Sequence, residues 1–416
     1  MTRSSIEIDL AWINGTDPQT AIGIERSPDD VTFSLIATLG AAAMAYQDHT
    51  LLPSTIYYYR IRAFNGSSAS SYSPMATATT QTPAWVMLSP GTPAPSVRAN
   101  VGATFAPPSG SMIVCAGDDV SFPATNTQTW ALNNSGSALP TWTQIGIAAN
   151  PGVRTLPGVT YCAATPRYSP ASHAVIFFGG LDQSDPSNVV FKNDVWVLDP
   201  THPGSWAPVV TAGTPPAPRF GHAVAMAGST LYVIGGQNGN PYPNNLMNDV
   251  WSLDFSSPTP FWTNLFSSGP LAPRGFHTAI YDSGNNQIVV FGGSDGTNLR
   301  NDTWALHLTG TPFWSQILTT GASPSARSFC TATYHSVAQL MVVFGGNALG
   351  GSVNDAWILT LDGPPAWIPL AVAGTPPGPR GGHGAALNEA DNRMNVFGGQ
   401  DFLSGTLYPE TWKLQF

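Results

Sequence analysis

The stretch PRFGHAVAMAGSTLYVIGG, residues 218 to 236, contains the features that decide the fold of this 416-residue chain. An arginine, Arg219, precedes one apolar run, and a second apolar run ends in two glycines. Short runs of β-branched and aromatic residues bounded by glycine are typical of strands. Two residues without a Cβ also let the chain turn sharply beside a neighbouring backbone. The stretch therefore predicts two antiparallel strands that follow the arginine.

The same pattern recurs along most of the chain. Its arginines are Arg98, Arg154, Arg219, Arg274, Arg327 and Arg380, here called the repeat arginines. A first set of tryptophans precedes them by 12 or 13 residues: Trp85, Trp142, Trp206, Trp262, Trp314 and Trp367. A second set follows each glycine pair: Trp130, Trp196, Trp251, Trp304, Trp357 and Trp412. Twelve of the 13 tryptophans obey this spacing, so the chain is an internal repeat.

Each unit predicts four short strands, and repeated four-stranded units favour a β-propeller whose tryptophans fill the wedges between blades. The last unit, from Arg380, supplies only three strands before Phe416. The early segment PAWVML, residues 83–88, is a fourth strand without the other three. Closure of a ring removes free sheet edges. We therefore expect residues 84–89 to complete the last blade, which gives six blades over residues 83–416.

The combination PRFGHAVAMAGSTLYVIGG, NDVWSLDF and FWTNL resembles the kelch repeat, with its Arg-x-x-His opening, its glycine pair and its strand-four tryptophan. The resemblance covers residues 84–416 and implies a kelch-type propeller. It says little about activity, because kelch propellers serve as enzymes and as binding platforms. The Glu-x-x-x-Asp-x-x-x-His run of the iron-dependent kelch-type enzymes, and the P-loop, HExxH and serine-elbow motifs, do not occur in the sequence.

Residues 1–82 differ, and they predict a separate domain. LLPSTIYYYRIRAFN, residues 51–65, resembles the fibronectin type III family, a β-sandwich. The resemblance implies that Tyr57 bonds nearby backbone through its hydroxyl and that Trp12 lies in the core. The predicted fold class is thus all-β: a fibronectin type III-like sandwich followed by a six-bladed kelch propeller.

The composition excludes several partner classes. Charged residues make up 9% of the chain and the net charge is −9. The sequence has no basic cluster, so we do not expect nucleic acid to be a partner. No apolar run is long enough to span a bilayer, and the N-terminus lacks a signal-peptide core. With three cysteines, Cys115, Cys162 and Cys330, we expect buried thiols rather than a disulfide framework.

The predicted binding residues follow the glycine pairs, on the face where the chain also enters the first strand of each unit. They are Asp118, Asp119, Asp182, Gln237, Asn238, Tyr242, Asp295, Asn347, Gln400 and Asp401. Loops on a rigid scaffold commonly bind ligands, and these side chains could hydrogen-bond sugar hydroxyls. The alternative is that they cap the turns after the glycines.

His222, His277 and His383 occur three residues after a repeat arginine, and Cys330 takes that place in another unit. We expect these side chains to be structural, not metal ligands, because the repeat spacing places them one per blade. The repeat arginines should likewise stabilise the blades, through backbone carbonyls or the aspartates Asp194, Asp249, Asp302 and Asp355. No cofactor or metal is expected.

Three functions remain open from the sequence. The first is a non-enzymatic extracellular or cell-surface protein that binds a glycan or protein partner. The second is a carbohydrate-active enzyme that uses the acidic face. The third is a structural subunit of a surface or virion assembly, for which self-assembly would be needed. Binding rather than catalysis is the expectation.

Overall fold

The computed structural model describes residues 4–15, 18–119, 127–134, 139–163, 173–185, 187–239, 245–267 and 269–416. Two compact units result. The first comprises Met1–Ala84, Ala371–Gly374 and Gln415–Phe416, and the second comprises Trp85–Leu370 and Thr375–Leu414. Within the described residues the structure is all-β, with two single 3-10 turns at Pro107–Ser109 and Glu389–Asp391. No described helix could cross a membrane.

The first unit contains a two-stranded and a five-stranded sheet. Its strands are β1 (Ile8–Ala11), β2 (Ala21–Ser27), β3 (Ser34–Gly40), β4 (Ala45–Asp48), β5 (Ile56–Asn65), β6 (Ser68–Ala69) and β7 (Ala76–Thr79). β1 pairs with β4, while β3, β2, β5 and β6 adjoin in that order and β7 also pairs with β5. The core between them includes Ile8, Leu51, Tyr57 and Tyr59.

Two predictions for the first unit can be compared with its contacts. The Tyr57 hydroxyl accepts a hydrogen bond from the Leu52 amide at 2.9 Å, as expected. The core position predicted for Trp12 is wrong, because its side chain is only half-buried beyond the end of β1. Its indole N–H donates to Asn14 Oδ1 at 3.0 Å, and the Asn14 amide in turn donates to the Ala41 and Ala43 carbonyls. These bonds hold the indole over a loop.

The strands of the second unit form four-stranded antiparallel sheets, which we number in chain order. Before them come β8 (Ala84–Leu88) and β9 (Arg98–Ala99). Sheet one has β10 (Gly102–Ala106), β11 (Ser111–Cys115), β13 (Thr129–Asn133) and β14 (Thr141–Ile145), and β12 (Asp118–Asp119) pairs with β9. Sheet two has β15 (Gly158–Cys162), β16 (Ala174–Asp182), β17 (Val190–Leu198) and β18 (Ala207–Pro208). Sheet three has β19 (Ala223–Ala227), β20 (Thr230–Gln237), β21 (Leu246–Asp254) and β22 (Phe261–Phe266).

The remaining strands repeat this order. Sheet four has β23 (Thr278–Asp282), β24 (Gln287–Phe291), β25 (Thr303–His307) and β26 (Phe313–Gln316). Sheet five has β28 (Thr331–His335), β29 (Leu340–Ala348), β30 (Gly351–Thr360) and β31 (Trp367–Pro369), with β27 (Arg327–Ser328) also on β29. Sheet six has β32 (Gly384–Asn388), β33 (Arg393–Phe397), β34 (Thr411–Gln415) and, as its outer strand, β8. This pairing confirms that the early tryptophan segment completes the last repeat.

The first strands of these sheets line a central channel. Each contacts the first strands of the two adjoining sheets, and β32 of sheet six contacts β10 of sheet one. The second strands are buried on both faces, as in β24, where every residue is buried. Burial between two neighbouring sheets explains why these strands are continuous apolar runs instead of alternating ones.

The repeat arginines are buried, with at most 4% of any of them exposed. Arg274 is representative. Its guanidinium donates to the Gly292 carbonyl at 3.0 Å and to both carboxylate oxygens of Asp302 at 2.6 and 2.8 Å. The Trp304 indole N–H donates to the same carboxylate at 2.8 Å. The predicted structural role of the arginines and of Asp194, Asp249, Asp302 and Asp355 is therefore confirmed.

Backbone groups of the same arginines connect one sheet to the next. Each arginine carbonyl accepts from the second glycine N–H of the preceding sheet, and these six N···O distances are 2.8–2.9 Å. The donors are Gly117, Gly180, Gly236, Gly293, Gly346 and Gly399. Between sheets, first-set tryptophans add side-chain bonds, such as Trp206 Nε1 to Thr129 Oγ1 at 2.9 Å.

Replacement of residues 84–88 by a Gly-Ser segment of equal length should leave the β34 edge unpaired and remove the buried Trp85 side chain. We expect a stability loss of at least about 3 kcal/mol, as for other buried aromatic deletions, together with aggregation through the open edge. Thermal unfolding and light scattering measure both. An unchanged melting temperature in a monomeric variant would contradict the assignment of β8.

The substitution Asp302→Asn should leave the buried positive charge of Arg274 without its counter-ion. Breaking a buried pair commonly costs about 3 kcal/mol, so the free energy of unfolding should fall by about that amount. The control is Asp362→Asn, which removes an exposed carboxylate and should change stability by less than about 0.5 kcal/mol. Equal effects of the two substitutions in chemical denaturation would count against the arginine argument.

Candidate functional site

Where the chain enters each first strand, one residue adopts left-handed backbone geometry. This residue lies two positions after the repeat arginine, and its φ is between +50° and +63° in all six sheets. The residues are Asn100, Leu156, Gly221, Phe276, Phe329 and Gly382, here called the belt. Glycine and asparagine tolerate this geometry, whereas bulky side chains rarely adopt it.

Backbone hydrogen bonds join belt residues of neighbouring sheets. The Phe276 amide donates to the Gly221 carbonyl at 2.7 Å, and Phe329 donates to Phe276 at 2.9 Å. Gly382 donates to Phe329 at 2.9 Å, and Asn100 donates to Gly382 at 2.6 Å, across the junction of sheets six and one. These bonds require the left-handed geometry, so the belt holds the rim of the channel in a fixed shape.

A row of phenylalanines lies along the belt. The phenylalanine arc is defined by Phe191, Phe220, Phe276, Phe329 and Phe402, whose successive ring centroids are 5.6, 5.9, 4.3 and 4.8 Å apart. Phe276 and Phe329 are stacked, with an interplanar angle of 16°. A bulky residue in left-handed geometry costs about 1–3 kcal/mol, and such strain is concentrated at functional sites. We call the surface that carries the belt and the arc the mouth face.

Leucines extend this apolar surface into the loops that follow the glycine pairs. Leu349 is 99% exposed and Leu403 is 79% exposed, and Leu403 lies against Gly351 of the neighbouring loop. Leu403 directly follows Phe402 of the arc. The apolar surface therefore continues from the channel rim to the tips of two loops.

The other side of the belt is polar. Asp118 accepts hydrogen bonds from Asn100 Nδ2 and Thr155 Oγ1, both at 2.8 Å. Burial raises the pKa of Asp118. The two hydrogen bonds oppose this rise, whereas the neighbouring Asp119 adds to it. The mouth face thus combines an aromatic arc with the half-buried carboxyl group of Asp118.

Three of the predicted binding aspartates stabilise their own loops. Asp182 accepts from Ser184, Asp295 from the Thr297 and Asn298 amides, and Asp401 from Leu403 and Ser404. These bonds lower the pKa of Asp401. Burial alone would raise the pKa of Asp182 and of Asp295, but the hydrogen bonds and the nearby cations outweigh it, so both pKa values are lowered. Capping of turns, the alternative considered for these residues, accounts for their contacts.

The other predicted residues lie near the same rim in different roles. Gln237 is buried at the end of β20, where its backbone bonds Phe220 in both directions. Gln400 bonds Gly381 in the same way, and Asn347 pairs with Ser328. Asn238 donates its amide to the Asn245 carbonyl, and Asp119 accepts from Ser96. Tyr242 lies outside the described residues.

Sequence reasoning missed the phenylalanine arc. Phe276 and Phe329 occur two positions after a repeat arginine and Phe220 occurs one position after another, and this recurrence of phenylalanine is the signal that could have shown them. Their proximity to Phe191 and Phe402, which come from different loops, depends on the distance between sheets. No spacing within the sequence gives that distance.

Behind the belt, a cavity of about 200 Å³ is lined by His222, His277, His383 and Cys330. The three imidazoles are buried, as expected for structural residues. Each lies against the first glycine of the preceding sheet: a Cβ on Gly345, for example, would approach His383 to 3.0 Å. All three cysteines are buried free thiols, as expected. No cluster of potential metal ligands occurs among the described residues.

Burial and, to a smaller extent, the positive charge of the neighbouring repeat arginine lower the pKa of His277 and of His383 to about 3. Burial likewise holds the pKa of His222 well below its usual value. The histidines are therefore neutral in the folded protein at pH values where an unfolded chain would already be protonated.

Comparison with known proteins gives one family match. The model of the KLHDC2/KLHL20/DRC7 Kelch-repeats domain matches residues 60–272, 169–309 and 259–416. The solved structure of YjhT is similar with a TM-score of 0.58, 16% identity, and coverage of 76% of this chain and 95% of that one. At that identity the likeness concerns the fold alone.

Curated relatives share a smaller part of their length. Adagio-like protein 3 of Oryza sativa subsp. japonica is 32% identical over 54% of this chain and 36% of that protein. Adagio protein 3 of Arabidopsis thaliana is 31% identical over 54% and 36%. Leucine-zipper-like transcriptional regulator 1 homolog of Drosophila melanogaster is 33% identical over 35% and 15%. This chain therefore spans about a third or less of the relatives that it matches.

These relatives correct one expectation. The extracellular, cell-surface or virion location expected from the sequence is wrong, because the Adagio proteins and the transcriptional regulator are typically intracellular. The earlier expectation rested on composition and on a resemblance of residues 1–82, and neither feature reports a cellular compartment.

The buried histidines bind protons only in the unfolded chain. The free energy of unfolding should therefore have its full value above pH 6.5 and should fall as the pH falls towards 3. Each histidine contributes a slope of about 1.4 kcal/mol per pH unit in that range. His277→Cys, which copies the residue present at Cys330, should remove one such slope. Chemical denaturation of both proteins between pH 7 and pH 4 measures it, and a stability difference that is independent of pH would contradict the assignment.

Proposed function

The chain belongs to the KLHDC2/KLHL20/DRC7 Kelch-repeats domain family, and from this premise we propose that it is a non-catalytic recognition module that binds a protein segment at its mouth face. The observation that carries the proposal is the phenylalanine arc. Its partly exposed rings beside the channel rim offer an apolar contact surface, which aromatic side chains provide at low cost in conformational entropy.

We also propose a finer architecture for this module. Its second unit is a six-bladed propeller closed by β8, which is supported by the cyclic contacts of the first strands and by the order of sheet six. Residues 1–82 are a fibronectin type III-like sandwich, which is supported by the bond between the Tyr57 hydroxyl and the Leu52 amide.

Contacts at the mouth face favour an apolar peptide ligand over a glycan. The carboxylates of Asp182, Asp295 and Asp401 already accept hydrogen bonds from their own loops, so they are less available to sugar hydroxyls. Leu349 and Leu403 project into solvent beside the arc, where a peptide with large apolar side chains would bury them. A donor group of that peptide would meet Asp118. A glycan remains the second candidate, because aromatic rings also stack on the apolar faces of sugars.

The test selects ligands and then removes two rings of the arc. The 416-residue chain is used to pan a random-peptide phage library and, in parallel, to probe a glycan array. Affinities of the selected ligands are measured by calorimetry for the wild type, Phe276→Asn and Phe329→Asn. Asparagine tolerates left-handed geometry, as Asn100 shows in the same belt, so both variants should fold.

We expect selected peptides to carry large apolar side chains and to lose about ten-fold or more in affinity with either variant. The control is Phe313→Asn, which removes a half-exposed ring from an outer strand and should leave affinity unchanged. Ligands that bind both arc variants with full affinity would overturn the proposal. Selection of glycans alone would replace the peptide by the second candidate.

A further inference from the structure

The channel opens into a second cavity at the end opposite the mouth face. Its volume is about 580 Å³, which is within the usual range for small-molecule sites. It lies where the first strands end. Its widest side chains come from the fourth residue of each first strand: Phe105, Tyr161, Met226, Tyr281, Tyr334 and Leu387. We call these six residues the tyrosine end of the channel.

Strand alternation places these side chains in the channel. In β28, for example, the third and fifth residues are buried between sheets, whereas the second and fourth residues, Ala332 and Tyr334, are partly accessible. The second residues are alanine or valine, and the fourth residues are mostly large. The cavity therefore has an aromatic and thioether wall that surrounds the axis of the channel.

Two of the three tyrosine hydroxyls donate hydrogen bonds, which increases the electron density of their rings. The Tyr334 hydroxyl donates at 2.7 Å to Asp282, a carboxylate with no solvent exposure that also accepts from Gln287 and Asn285. The Tyr281 hydroxyl donates to Asn286 Oδ1 at 3.0 Å. A phenol that donates to an anion presents a more negative ring face, which strengthens its attraction for a cation.

The rim of this second cavity also carries a negative charge. Glu389 lines the cavity and is half-buried, and its carboxylate accepts from Ser336 Oγ at 2.5 Å. Of the described residues that line the cavity, none is basic. Glu389 and the buried Asp282 therefore leave a negative potential in an aromatic cavity. An anionic ligand would be repelled there, and a neutral ligand would lack the Coulomb attraction that a cation receives from the two carboxylates.

We propose that the tyrosine end of the channel binds an organic cation, a quaternary or alkylated ammonium group. Aromatic rings and a thioether supply contact to the alkyl substituents, while the ring faces and Glu389 attract the charge. The site is at the far end of the channel from the phenylalanine arc. A failure of cation binding here would therefore leave the proposed peptide site untouched, and a failure of the peptide site would leave this one untouched.

The probe is choline, and its uncharged carbon isostere 3,3-dimethylbutan-1-ol is the matched control ligand. Binding to the 416-residue chain is measured by ligand-observed NMR and by calorimetry. We expect choline to bind at least about five-fold more tightly than the isostere. Equal affinity of the two compounds, or no binding of choline, would overturn the proposal.

Variants locate the site. Tyr334→Leu and Glu389→Gln should each weaken choline binding by about three-fold or more, whereas Asp254→Asn, a carboxylate outside the cavity, should not. Thermal unfolding shows which variants retain the fold. If Tyr334→Leu is destabilised, Glu389→Gln decides, because its amide oxygen can still accept from Ser336. Choline affinity that survives Glu389→Gln, or that falls equally with Asp254→Asn, would overturn the site.

Discussion

The arginine that opens each repeat is the constraint on which the second unit depends. In four of the six repeats the guanidinium bonds its own sheet through a glycine carbonyl and an acidic side chain, and in all six the arginine carbonyl bonds the preceding sheet. One residue therefore fixes both the fold of a sheet and its position against a neighbour. A buried guanidinium is costly unless its donors are satisfied, so the acidic partner and the glycine carbonyls are required together.

This requirement explains why the glycines come in pairs. The second glycine donates its amide to the next arginine carbonyl, and a Cβ on Gly236 would lie 2.8 Å from the Phe220 carbonyl. The first glycine leaves room for the histidine of the next sheet: a Cβ on Gly235 would lie 3.1 Å from His277. Arginine, glycine pair and histidine are thus one packing unit spread over two sheets, and the histidine has no need of a metal to explain its recurrence.

The sequence predicted this unit well because each part recurs at fixed spacing. The arginines, the aspartates, the β8 strand and the buried cysteines follow from periodicity and from the incomplete last repeat. The site was harder to predict. Asp182, Asp295 and Asp401 follow the glycines as expected, but their hydrogen bonds stay within their loops, which composition does not reveal. The arc depends on Phe191 and Phe402, which have no common position in the repeat. Trp12 was placed in the core by resemblance, whereas Asn14 holds its indole over a loop.

Departures from the repeat are concentrated where the mouth face changes character. In sheet one, Gln128 replaces the aspartate, so the buried Arg98 donates to a neutral amide, and burial lowers the pKa of this arginine to about 10. Ala116 replaces the first glycine and adopts a φ of +61°. Asp118 follows directly, and its half-buried carboxyl lies beside Asn100 of the belt. The opposite side of the belt carries Phe276 and Phe329 in left-handed geometry. A perfectly regular repeat would give a rim that looks the same from every sheet. The irregular one has the phenylalanine arc on one side and the half-buried Asp118 on the other, and this asymmetry would fix the orientation of the proposed ligand, which carries an apolar group and a donor group.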